Sequence, residues 1–100
     1  MSYKKTMEGV KYLIQNELDM ACEENCNSFS SNHEAYAVIL EEEEEMWNDA
    51  LAIERELDNM WRLCVTKDQP IGERLVEIEK HAIQCACEAI QVAAMARKAM

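Results

Sequence analysis

The sequence predicts an all-α antiparallel bundle of three main helices, and three observations predict it. Two glycines and one proline in 100 residues leave too few turn-makers for a β-rich fold. Apolar residues recur at alternating spacings of four and three over most of the chain. The breaks in that pattern are short and polar. One hundred residues make a single domain over 1–100, with a core thin enough that association with a second copy is expected to complete it.

The first helix is expected over about 3–24, where Tyr3, Met7, Val10, Ile14, Leu18 and Ala21 share one face. The polar segment CNSFSSN ends it, and Ser31 with Glu34 reads as a capping box that starts the next helix at His33. That second helix is expected to run to Val65. Ile39, Glu43, Met46, Ala50, Ile53, Leu57, Met60 and Cys64 form its heptad seam, with Glu43 the one polar intruder. Pro70 suits the first turn of a third helix over 70–98. The third seam runs Ile71, Leu75, Ile78, Ala82, Cys85, Ala89, Val92, Ala96 and Ala99, with small residues that allow close helix approach.

The net charge of −10 is local. Residues 33–60 hold ten acids against the single Arg55, whereas 61–100 hold six basic and five acidic residues. Direct nucleic-acid binding wants a basic footprint and is not expected. No apolar run approaches membrane-spanning length, and MSYKKTMEGVKY lacks the apolar centre of a secretory signal, so a cytoplasmic chain is expected. The five cysteines (Cys22, Cys26, Cys64, Cys85, Cys87) then read as reduced thiols. Cys85 and Cys87 point about 200° apart on a helix, which speaks against a zinc site shared with Cys22 and Cys26.

The run Glu41–Glu45 lies inside an amphipathic helix rather than in a tail. With Met46 at the centre of the seam, Glu42, Asp49 and Glu45 fall about 40°, 60° and 100° to one side, while Glu41 and Glu44 point to solvent. An i, i+3, i+7 row of carboxylates on the shoulder of a core suits a hard cation such as Mg²⁺, with Mn²⁺ an alternative. If the second and third helices fold back about Asp68, Glu45 and Glu88 come within a three-residue offset, about 4.5 Å along the axis. Glu42, Glu45 and Glu88 are then expected to converge, with Gln91 one turn beyond Glu88.

The stretches HEAYAVILEEEEEMWNDA and CEAIQVAAMA together resemble the MazG-like all-α nucleoside triphosphate pyrophosphohydrolases, in particular their small phage or bacterial members. The resemblance covers roughly residues 33–98. It implies Mg²⁺-dependent cleavage between the α- and β-phosphates of a nucleoside triphosphate. An EExxE motif on Glu41–Glu45 would contribute Glu42 and Glu45, both as metal ligands and as candidates to polarise the attacking water. An ExxD motif would fall on Glu88-Ala89-Ile90-Gln91, where Gln91 stands in the place of the aspartate, so one anionic ligand becomes a neutral amide. Activity is accordingly expected to be weakened or lost. Asp49 is a further, lesser candidate ligand. The competing expectations are a non-catalytic acidic protein, such as a phage-type inhibitor or nucleic-acid mimic, and a purely structural helical oligomer.

Overall fold

The computed structural model describes residues 3–24 and 29–100, the side chains of 22–24 excepted. The chain is all-α: α1 spans Lys4–Glu24, α2 Asn32–Asn59 and α3 Gly72–Ala99, and no strand occurs among the described residues. No helix there is long and apolar enough to cross a membrane.

The start of α2 follows its local chemistry. The Glu34 N–H donates to the Ser31 hydroxyl at 3.1 Å, and Ala35 N–H to the Ser31 carbonyl at 3.1 Å, so Ser31 caps the helix. Only half of the expected box forms, because the Glu34 carboxylate accepts instead from the Ser30 hydroxyl. The end of α2 also differs from expectation. Regular α-helix stops at Asn59 and gives way to a π-turn over Met60–Cys64, then a 3₁₀ turn over Val65–Lys67. The Thr66 hydroxyl takes the Arg62 carbonyl at 2.8 Å, a side-chain bond that competes with the helical ladder. Asp68 then adopts the left-handed conformation at φ 51°. Gln69 N–H reaches Cys64 O at 2.8 Å and Asp68 N–H reaches Val65 O at 3.3 Å, the paired bonds of a Schellman stop. Pro70 lies just before α3 rather than in its first turn, since Leu75 N–H bonds Ile71 O and Ile71 is the capping position.

The chain divides into two compact units: the described part of Met1–Glu43 with Glu88–Met100, and Glu44–Cys87. In the first, the end of α3 is enclosed on several sides. Gln91 donates to Glu17 at 2.6 Å and Arg97 to Gln15 at 3.2 Å, which seats α1 along the face carrying Ala94. Ala94 is fully buried and Ile14 is 9% exposed. Ala94 lies about 200° around the helix from Val92, so α1 takes a face opposite the expected seam.

The second unit is a two-helix hairpin of α2 and α3. Glu56 with Arg74 and Asp49 with His81 are both symmetric about position 65, so the fold-back is not centred on Asp68. Extrapolated, Met60 faces Pro70, and the residues between form the connection. The expected seam is covered along most of α2 and exposed over much of α3. Asp49, Glu56, Arg74 and His81 are partly covered, as are the seam residues Met46, Ala50, Ile53, Met60 and Cys64 of α2 and its continuation and Ile78 and Cys85 of α3, whereas Leu57, Ile71, Leu75 and Ala82 are exposed. Trp47 and Trp61 are likewise exposed.

Candidate functional site

Helical phase decides which glutamates of the run meet α3. Glu42 and Glu43 are half-buried, while Glu41, Glu44 and Glu45 are exposed. Within the first unit, Glu42 and Glu88 bring carboxylate oxygens to within 4.8 Å of one another. Glu88 is half-buried on α3. Glu45 follows Glu42 by one turn along α2 and lies in the first turn of the second unit's part of that helix. A fold-back about Asp68 put Glu45 three residues out of register with Glu88 and Glu42 six. In the structure the carboxylate oxygens of Glu42 and Glu88 lie within 4.8 Å of one another.

Gln91 is turned to α1. Its amide nitrogen donates to Glu17 Oε1 at 2.6 Å, which brings a carboxylate of α1 one turn along from Glu88. Glu17 was missed by the motif reading. Its only sequence signal is its place beside Leu18 on the apolar stripe of α1.

Asp49 belongs to the second unit, where it answers to a histidine. Its Oδ1 is 3.6 Å from His81 Nδ1, and His81 Nε2 is 3.7 Å from Glu77 Oε2; both contacts are ionic only when the imidazole is protonated. His81 Nδ1 is buried without a hydrogen-bond partner among the described residues. Among the basic residues, Arg74 is held by Glu56 at 2.7 Å and Arg97 by Gln15, while Lys80 is exposed. Cys64, Cys85 and Cys87 are free thiols; the Cys85 thiol donates to Met46 O at 3.6 Å and Cys87 is exposed. Cys26 and the side chain of Cys22 lie outside the described residues.

The donor set near Glu42 is made of carboxylate oxygens, with no thiol or imidazole in it. Hard oxygen donors suit Mg²⁺, which takes one or two carboxylates, keeps several waters and accepts substrate phosphates as further ligands. Soft or imidazole-preferring ions are poorly matched. The chain matches no protein-family model, no curated protein and no solved structure.

Proposed function

We propose that this protein is a Mg²⁺-dependent nucleoside triphosphate pyrophosphohydrolase of the MazG-like kind, acting as a cytoplasmic homo-oligomer, with turnover reduced by Gln91. The observation that carries the reading is the approach of Glu42 to Glu88, residues 46 positions apart, with Glu45 one turn from Glu42. These are the carboxylates that the two sequence motifs single out. Bringing like charges together is costly, and a divalent cation offsets that cost.

In this reading the half-buried Glu42 and Glu88 hold the ion, and the exposed Glu45 completes the set. Bound Mg²⁺ would neutralise charge developing on a triphosphate. Glu45 is the carboxylate best placed to accept a proton from the attacking water, since it is the one open to solvent. Gln91 contributes no negative charge, and its amide is engaged by Glu17. This favours weak metal affinity and slow chemistry.

The test measures melting temperature with and without Mg²⁺, alongside pyrophosphate release from a panel of nucleotides. Mg²⁺ is expected to raise the melting temperature by several degrees, since binding to the folded state alone stabilises it. Glu42→Gln should abolish that rise, and Glu45→Gln should remove pyrophosphate release. A melting temperature indifferent to Mg²⁺, with no release from any nucleotide, overturns the reading. The exposed Glu41 and Glu44 favour one competitor, an acidic surface presented to a basic protein. That competitor expects salt-sensitive binding unaffected by Glu88→Gln.

A further inference from the structure

Gln91 stands on the covered side of α3, one turn after Glu88 and one turn before the fully buried Ala94. It is the single polar side chain between Ile90 and Ala96. An amide in such a stretch needs hydrogen-bond partners, and α1 supplies one. Glu17 lies one turn after Ile14 on the covered face of α1 and is half-buried. The Gln91 nitrogen donates to its Oε1 at 2.6 Å. Glu17, Glu42, Glu88 and Gln91 all belong to the first unit.

An ionised carboxylate only accepts hydrogen bonds, so it faces the NH₂ group of an amide and never the carbonyl oxygen. With Glu17 in place, the Gln91 amide therefore has one orientation. Its oxygen takes no hydrogen bond from any described residue, and it is not sealed from solvent. A short bond to a charged acceptor also polarises the amide and draws negative charge onto that oxygen. Carbonyl oxygens are hard donors of the class that suits Mg²⁺ and Mn²⁺. Residues three apart on a helix are surface neighbours, about 5–6 Å between Cβ atoms, so Gln91 can serve the same ion as Glu88.

We infer that Glu17 is a positioning residue for the cation of Glu42 and Glu88: it holds the Gln91 amide so that its oxygen acts as a neutral ligand where the resemblance expects an aspartate. The inference rests on the cation reading of the site. The arrangement is the amide counterpart of a carboxylate that orients a metal-bound histidine through its far nitrogen. It differs from a seat for α1. A seat needs only a hydrogen bond, whichever way round the amide lies. Glu17→Gln keeps the size of the side chain and can still bond Gln91, but it accepts either orientation of the amide and carries no charge.

The test is Mn²⁺ binding to the full chain without nucleotide, read from the paramagnetic resonance of the free ion. Melting of the metal-free protein checks folding. Glu17→Gln should melt within a few degrees of wild type, yet bind Mn²⁺ about tenfold more weakly, the scale on which an outer partner acts. A carboxylate has two equivalent oxygens and needs no such orientation, so in a Gln91→Asp background Glu17→Gln should weaken nothing. A tenfold loss that persists in that background assigns the effect to the charge of Glu17 and overturns the inference. Wild-type affinity in a folded Glu17→Gln overturns it as well. Should Glu17→Gln not fold, Gln91→Met decides, because it removes the amide oxygen and leaves Glu17 in place. A tenfold loss there supports the inference, and wild-type affinity overturns it. A wild-type chain that binds no Mn²⁺ sinks the cation reading itself and this inference with it, a result distinct from each of the others.

Discussion

The two units solve the same problem with different numbers of helices, and the difference shows what burial requires. In the first, α1 is added to segments of α2 and α3, and a third helix seals Ile14 and Ala94. In the second, two helices face each other across ionic groups, and none of its residues is buried. The second is not poorer in apolar residues, since Trp47, Leu57, Trp61 and Leu75 all belong to it. A helix pair buries one stripe from each member, so its remaining apolar surface waits on another layer.

The largest expected effect tests the sealed unit. Ile14→Ala removes the one large side chain that is buried among the described residues, and should lower unfolding stability by about 3 kcal/mol. The urea midpoint reads it. Amide exchange would sharpen the comparison: amides of the first unit should lose protection before those of Glu44–Cys87. Equal loss in both units would mean that they unfold as one cooperative body.

A smaller effect tests the ionic hairpin. Glu56 and Arg74 are only 16% and 29% exposed at their side chains, so the pair is partly desolvated. A double-mutant cycle of Glu56→Gln and Arg74→Met should return a coupling of roughly 1 kcal/mol, less at high salt. A coupling near zero would mean that the Glu56–Arg74 contact adds nothing to the stability of the hairpin. The smallest effect returns to α1. Gly9 lies inside the helix with nothing within 4 Å of an added Cβ, so Gly9→Ala should raise stability by about 0.5–1 kcal/mol.

Much of the fold was legible because helix periodicity and punctuation are local signals. The polar break before Ser31, the cap itself and the three helical segments depend on neighbours within a turn or two. The site was legible to the extent that phase assigns a face: Glu42 was placed on the shoulder of α2 and Glu88 on that of α3, and the two do meet. For the seams the same reasoning held along α2 except at Leu57 and failed over much of α3. Leu57, Leu75 and Ala82 were expected inside by their spacing, yet spacing says which residues share a face and not which face meets a neighbour. Ala94 was missed for a related reason. The run from Ile90 to Ala96 is apolar on nearly every side apart from Gln91, a pattern that marks a helix enclosed all round, whereas a heptad count looks for one stripe.

The sequence by itself determined that this protein is helical, where its helices begin, and that acidity is concentrated on α2. These follow from residue chemistry acting over a few positions. Only the tertiary structure decided the register of α2 on α3 in the second unit, which pairs Glu56 with Arg74 and Asp49 with His81, and in the first turned Gln91 towards Glu17. Register depends on how the π-turn, the 3₁₀ turn and the Asp68 stop use up chain between the two helices, and that length is not encoded in either helix's own periodicity.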